Sequence, residues 1–205
     1  AIYLGAIGAP TVPDHISAGD LPLPLRKKFN QYINLRPMRL LSGLSSPLAN
    51  RTAADIDMVC VRENTEGEYS GVGGRVHVGT TYEVAEQTGV FTYTGIERVV
   101  RYACEIAAKR PRKMLANATK SNALRHSMVL WDEVAEKVAA KYPTVKYQKY
   151  YVDAIAARKP AIVIGSPAVS TFRSLGRRAA RRDGNADRLR LAAQSELARL
   201  GERRA

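Results

Sequence analysis

The apolar positions of this chain change period several times, and each change predicts an element. Val99, Val100, Ala103, Ile106 and Ala107 recur at helical spacing between Glu97 and Lys109, and Pro111 stops the run, so this stretch predicts an amphipathic helix. A second stripe, Met128, Trp131, Val134 and Val138, predicts a helix over Leu124–Lys141 that ends before Pro143. Short apolar runs predict strands at Ile2–Gly5, Asp57–Arg62, Lys113–Ala118, Val145–Val152 and Ala161–Ile164. Leu35–Leu41 is also strand-like but carries Pro37, which lacks a ladder N–H and so predicts a sheet edge or a strand beginning. Arg75–Thr81 and Glu83–Tyr93 are rich in Val, Thr and Tyr and predict an antiparallel pair. Two short helices are expected, at Pro24–Gln31 with proline near its start and at Asp153–Arg158.

Strands and helices alternate in the second half with antiparallel strands ahead of them, which is an α/β fold class. No internal repeat is visible. Beyond Gly165 the periodicity fails: Arg190–Arg199 has a helical pattern, but Ser166–Asp187 has almost none. Hydrophobic residues make up 45% of the 205, enough apolar surface to exclude a wholly disordered chain. No apolar run reaches transmembrane length, and no basic region precedes an apolar stretch as a secretory signal requires. Cys60 and Cys104 have no metal-type spacing and read as buried free thiols, which fits a reducing cytoplasm.

The net charge of +13 points toward an anionic partner, but its distribution narrows that reading. Residues 172–205 hold ten arginines against four acidic residues and contain no lysine. Much of the excess is therefore a tail property. This tail lacks the interleaved aromatics or docking motif of a nucleic-acid module.

Several residues have chemistry that the element pattern does not explain. Arg26, Arg36 and Arg62 lie in the contexts PLPLRKK, NLRPM and VCVREN, and Arg62 follows directly on an apolar strand. An arginine fork matches a carboxylate bidentately, so three that converge could hold a small dicarboxylate, whereas any one alone is more simply an ordinary ion pair. Tyr69 lies in ENTEGEYSGVGGR, whose glycines and glutamates predict a loop with an exposed phenol. Lys120, in ATKSNA, falls between a strand end and a helix start, where Ser121 or Asn122 could cap the helix. A lysine there is either solvated or, with a lowered pKa, a base. Asp153, in YVDAI, is either an N-cap or a ligand for a hard metal. The glycines of GAIGAP and GVGG do not follow GxGxxG, and His15, His77 and His126 show no ligand spacing.

Together, AIYLGAIGAPTVPDH, LPLPLRKKFNQYINLRP, VRENTEGEYSGVGGR, ATKSNA and YYVDAIAAR resemble, in order, the isocitrate/isopropylmalate dehydrogenase family of β-decarboxylating hydroxyacid dehydrogenases. VGGR, TKSN and WDEVAEKVAAKYPTV look most like its tartrate dehydrogenase/D-malate dehydrogenase branch, and the likeness runs from Ala1 to about Gly165. The resemblance implies an NAD-dependent oxidoreductase, cytoplasmic and homodimeric, that uses Mg2+ or Mn2+ to oxidise and decarboxylate a malate-type 2-hydroxyacid such as tartrate or D-malate. It implies that Arg26, Arg36 and Arg62 hold the dicarboxylate, Tyr69 supplies a proton to the enol, Lys120 helps take the hydroxyl proton, Asn122 lies near the nicotinamide, and Asp153 is a metal ligand. Lysine and aspartate would reach into the partner subunit's site, with 75–93 as an interlocking arm. Members that act on isocitrate generally place Ser or Thr shortly before the first arginine, where this chain has LPLPL. An apolar lining of that kind would also suit the isopropyl group of 3-isopropylmalate.

The resemblance further implies a division into a large-domain remnant at 1–31, a small α/β dimerisation domain at 32–165 and a divergent Arg-rich tail at 166–205. The family's GDGIGPE-type opening, its later metal aspartates and its adenosine-binding loop have no counterpart here, so the chain is expected to be a fragment, inactive alone and poorly stable, with apolar surface exposed. A frameshift in GC-rich DNA would produce such a tail; a genuine phosphate-binding extension is the alternative, and a non-catalytic remnant or partner subunit remains a second class of function.

Overall fold

The computed structural model describes residues 8–13, 15–16, 19, 21–41, 43–44, 46, 52–155 and 162–165. The elements in chain order are α1 (Pro22–Lys28), β1 (Ile33–Arg39), β2 (Asp57–Glu63), β3 (Gly67–Val76), β4 (Val84–Val90), α2 (Tyr93–Lys109), β5 (Met114–Thr119), α3 (Ser127–Ala139), β6 (Lys146–Tyr151), α4 (Val152–Ile155) and β7 (Ile162–Gly165). Five strands form one mixed sheet in the order β1-β2-β7-β5-β6, and β3 and β4 form a separate hairpin. Strands β2, β7, β5 and β6 run parallel, and β1 lies antiparallel on the outer side of β2. Pro37 sits in β1 opposite Val59, so the proline strand is an edge strand, as expected of a residue with no N–H to give.

Strand alternation divides the sheet into two unlike faces. Val59, Val61, Leu115 and Ile164 point to one face and pack with Val99, Val100, Ala103 and Ala107 of α2 and with Met128, Trp131, Val134 and Val138 of α3. This is the main core, and the two helical stripes read from the sequence are its helical half. The other face carries Ala116, Ala118 and Val163, which cluster with Ile155 of α4. Cys60 pairs in register with Val163, and Arg62 with Gly165, so both belong to this second face.

A polar network lies within the main core. Asn117 donates to Asp132 Oδ1 and to the Tyr147 hydroxyl, each at 3.0 Å, and its own Oδ1 accepts from Trp131 Nε1 at 2.8 Å. Burial pushes the Tyr147 hydroxyl above the usual phenol range, so it stays neutral. The network ties α3 to both β5 and β6.

Several boundaries differ from the sequence reading for local reasons. Helix α2 starts at Tyr93 rather than Glu97 because Thr92 caps it: Thr92 Oγ1 accepts from Gly95 N at 3.0 Å. Glu66 supports the same cap by accepting from Thr92 N at 3.0 Å and from Thr92 Oγ1 at 2.7 Å. Gly95 leaves room for that carboxylate, since a Cβ there would fall 2.2 Å from Glu66 Oε2. Neither Ser121 nor Asn122 caps α3, which begins only at Ser127 with no side-chain cap. The intervening residues turn instead, with Ala123 N and Leu124 N both donating to the Lys120 carbonyl.

The antiparallel pair expected at 75–93 is β3 and β4, with β3 displaced toward the N-terminus and β4 inside its expected range, and the segment containing Tyr69 is a strand rather than a loop. Gly67, Gly71 and Gly73 have φ of 68°, 80° and 149°, so the glycines that read as loop punctuation shape a bulged ribbon. A Cβ on Gly73 would meet the Glu86 carbonyl at 2.2 Å, so the partner strand itself requires glycine there. The strand expected at Ile2–Gly5 and the tail at 166–205 lie outside the described residues. Among the described residues no helix is long and apolar enough to cross a membrane.

Candidate active site

The carboxyl edge of the parallel strands gathers the chemistry. Arg62 lies in register with Gly165 and Gly165 with Ala118, so Arg62 at the end of β2, Lys120 just after β5 and Asp153 just after β6 all emerge on the same edge. Ligands of open α/β sheets bind at such edges.

Arg62 is 5% exposed, and its Nε and Nη2 have no hydrogen-bond partner. Its guanidinium lies 4.7 Å from the centroid of the Tyr69 ring. Arg26, from the last turn of α1, adjoins both residues: burial and the Arg62 charge lower its pKa, and Tyr69 acts in the opposite sense. Two guanidinium groups thus share a partly dry site with one aromatic ring. Arg36 joins them from β1, where it faces Cys60 in register, two residues before Arg62 on the neighbouring strand. Burial raises the Cys60 thiol pKa, while Arg36 and Arg62 work against that rise. All three predicted arginines and Tyr69 therefore belong to one neighbourhood.

Hydrogen bonds around this neighbourhood explain how a mobile-looking sequence is held. Lys27 Nζ donates to the Ser70 carbonyl at 2.6 Å, which binds α1 to the start of the hairpin beside Tyr69. Glu63, 2% exposed, accepts from Thr65 N and Thr65 Oγ1 at 2.8 Å and from Glu66 N at 2.7 Å. Arg98 of α2 reaches Glu63 at 3.7 Å, Thr65 Oγ1 at 2.8 Å and Asn30 Oδ1 at 3.0 Å, and stacks over Tyr32. The turn after Arg62 and the segment after Arg26 are thereby fastened to the same helix.

Lys120 and Asp153 form a second group, an ion pair with Nζ to Oδ2 of 2.5 Å. Asp153 lies in the first turn of α4 rather than at its N-cap, and its side chain is 65% exposed. Asn122 is exposed in the turn after β5. Among the described residues, no hydrogen bond or ion pair joins Lys120 or Asp153 to Arg26, Arg62 or Tyr69. The chain thus brings the arginines and tyrosine together in one cluster and the lysine and aspartate together in another.

Sequence reasoning missed Asn34, Asn64, Glu63 and Arg98. Asn34 had one legible signal: it stands two residues before Arg36 in a strand and so must share its face. Asn64 and Arg98 depend on contacts across 30 or more residues, and Glu63 on a turn that it caps itself together with distant Arg98.

A family model described as isocitrate/isopropylmalate dehydrogenase matches residues 1–165, and the chain belongs to that family. It is 54% identical over 159 residues to the D-malate dehydrogenase [decarboxylating] of Escherichia coli (strain K12), a match that covers 77% of this chain and 44% of that protein. It is 51% identical over 158 residues to a probable tartrate dehydrogenase/decarboxylase of Agrobacterium vitis, again covering 77% of this chain and 44% of the relative. An isocitrate dehydrogenase from Methylococcus capsulatus superposes with a TM-score of 0.68 at 26% identity, covering 82% of this chain and 49% of that one. The chain therefore spans less than half the length of these proteins.

The described residues do not complete a site for a divalent metal or a dinucleotide. They include no group of three His, Cys, Asp or Glu side chains placed to hold a metal ion, and the recorded partner of Asp153 is the ammonium of Lys120. A single carboxylate is a poor Mg2+ or Mn2+ site. Asn122 alone does not make a nicotinamide pocket.

Proposed function

We propose that this chain carries the dicarboxylate-gripping part of an NAD- and divalent-metal-dependent dehydrogenase that oxidises and decarboxylates a malate-type 2-hydroxyacid. The observation that carries the reading is Arg62: a buried guanidinium with two unpaired nitrogens, crowded by the charge of Arg26. A buried cation in that state calls for an anion, and a carboxylate fits the fork. Arg26, Arg36 and Arg62 bind and orient the two carboxylates. Tyr69, packed on Arg62, gives a proton to the decarboxylated product. Lys120 takes part in moving the hydroxyl proton, and Asp153 offers one carboxylate to Mg2+ or Mn2+, whose other ligands are not among the described residues. Asn122 lies on the nicotinamide side. Bound metal and NAD supply Lewis-acid and hydride chemistry.

Lys120 and Asp153 pair with each other and, among the described residues, make no hydrogen bond or ion pair to Arg26, Arg62 or Tyr69, which supports a site shared between two copies of the chain, with residues 32–165 as the dimer-forming domain and the β3–β4 hairpin as its arm. Val76, Val78, Tyr82 and Val84 are exposed along that arm, which suits burial against a second copy. D-malate or tartrate is the substrate that the named relatives support. The apolar run Leu21–Leu25 beside Arg26 suits 3-isopropylmalate as the alternative. The free thiols Cys60 and Cys104 suit a cytoplasmic setting.

Calorimetric titration of the purified chain with D-malate and with tartrate tests the reading. Saturable binding that Arg62→Met abolishes is expected; no binding of either diacid by the folded chain would end it. NADH formation by the chain alone with Mn2+ is not expected, because the metal and dinucleotide sites are incomplete among the described residues.

A further inference from the structure

Arg36 is held toward the candidate site by a relay of amides. Asn34 and Arg36 share one face of β1, and Asn34 lies in register with Arg62 on β2. Arg36 Nε donates to Asn34 Oδ1 at 2.9 Å, Asn34 Nδ2 to Asn64 Oδ1 at 3.4 Å, and Asn64 Nδ2 to the Gln31 carbonyl at 3.0 Å. Both ends of the relay fix its direction, because a guanidinium only donates and a backbone carbonyl only accepts. Each asparagine amide therefore has one orientation that satisfies both of its neighbours. Asn64, 4% exposed, anchors the relay in the protein interior. Pro37 restricts the backbone of Arg36 to extended conformations, so the strand cannot turn the side chain away.

The relay decides which edge of Arg36 meets a ligand. A guanidinium can grip a carboxylate side-on through Nε and Nη2 or end-on through its two terminal nitrogens. With Nε given to Asn34, a carboxylate reaching Arg36 meets the terminal nitrogens only. Arg62 is the converse case, since Nε and Nη2 are the two atoms that lack partners. Two arginines diagonally placed on neighbouring strands thus present different edges to one ligand.

We propose that Asn34 is a positioning residue for dicarboxylate recognition, holding Arg36 by its Nε so that its terminal edge faces the carboxylate. This inference rests on the functional reading above. An amide suits the task better than a carboxylate, because Asp in this place would neutralise Arg36 and compete with the ligand. Alanine would remove the acceptor that fixes Arg36 Nε, and binding would then have to set that edge.

The test is a double-mutant cycle on the full chain, with Kd for D-malate measured by calorimetry in wild type, Asn34→Ala, Asn34→Asp, Arg36→Ala and Asn34→Ala with Arg36→Ala. Asn34→Ala should weaken binding about tenfold and Asn34→Asp at least as much, as expected for a hydrogen bond to a charged group. In the Arg36→Ala background, Asn34→Ala should cost nothing further. An unchanged Kd in Asn34→Ala would overturn the proposal. So would an equal loss in both backgrounds, because Asn34 would then be acting through the fold and not through Arg36. If wild type binds no diacid, the functional reading fails, and the Arg36 Nε–H resonance decides the positioning role separately. A slowly exchanging signal in wild type that is lost in Asn34→Ala supports it; the same exchange rate in both overturns it.

Discussion

Arg62 lies with its guanidinium 4.7 Å from the centroid of the Tyr69 ring, while two of its nitrogens, although buried, have no hydrogen-bond partner. The ring compensates part of the charge, and among the described residues no carboxylate pairs with the guanidinium. Such an arrangement favours ligand binding over stability. Arg62→Met should therefore raise the stability of the ligand-free chain by about 1 kcal/mol, because a buried cation gives way to apolar packing. The same variant should lose dicarboxylate binding. Urea unfolding and calorimetry on one preparation check both; a destabilised Arg62→Met would mean that the guanidinium is satisfied in the free chain.

Glu63 stands on the opposite side of the strand from its neighbour Arg62 and has a different role. It accepts three hydrogen bonds from the following turn and faces Arg98. Glu63→Ala should destabilise the chain by about 3 kcal/mol, since it strands a partly buried arginine and two backbone N–H groups. Glu63→Gln should cost less, because the amide oxygen can still accept one of these bonds. Urea midpoints at neutral pH distinguish the two.

Asn117 is the single side chain that pairs with Trp131, Asp132 and Tyr147 together. Asn117→Ala leaves the indole N–H, the buried carboxylate and the phenol without that partner, and should cost about 3 kcal/mol. Combining it with Trp131→Phe should give less than the sum of the two single losses, because one of the orphaned donors is then gone. Additive losses would show that the network contributes nothing beyond its separate contacts.

Asp57 links the ends of β1 and α2 by pairing with Arg110 at 2.7 Å and Arg39 at 3.1 Å. The hydrogen bond from Arg110, with a smaller one from Arg39, holds its carboxyl below the ordinary value of 3.8 despite an opposing effect of burial. A depressed folded-state pKa means that the unfolded chain binds this proton first as pH falls. The contribution of Asp57 to stability is thus fully present above the ordinary carboxylate range and is lost as pH falls through the lower folded-state value. Stability measured from pH 6 to about pH 3 should fall less steeply in Asp57→Asn than in wild type. Parallel curves would show that the pair is too solvated to matter, a real test because half of the carboxylate is exposed.

Family and fold class were legible in the sequence, and the arginines could be proposed from it, because all of these depend on local text. The apolar run within Asp57–Glu63 and the stripes of α2 and α3 follow from burial, which each segment reports by itself. Arg62 could be suspected at once, as a charge that ends an apolar strand. Tyr69 lies in a strand and not in the loop that its neighbours predict, because its glycines serve a twisted ribbon as readily as a loop, and only pairing with β4 selects between them. The start of α3 was likewise undecided, since Ser121 and Asn122 are good caps that the turn after Lys120 puts to no such use.

The sequence by itself singled out the arginines proposed to hold an anion. Tertiary structure alone decided that β2 lies between β7 and β1, which sets Asn34 across from Arg62 and Arg36 diagonal to it, and that Lys120 pairs with Asp153. The physical reason is that spacing within a segment fixes the face a residue shares, whereas register and strand order are set by the burial of whole faces across the sheet.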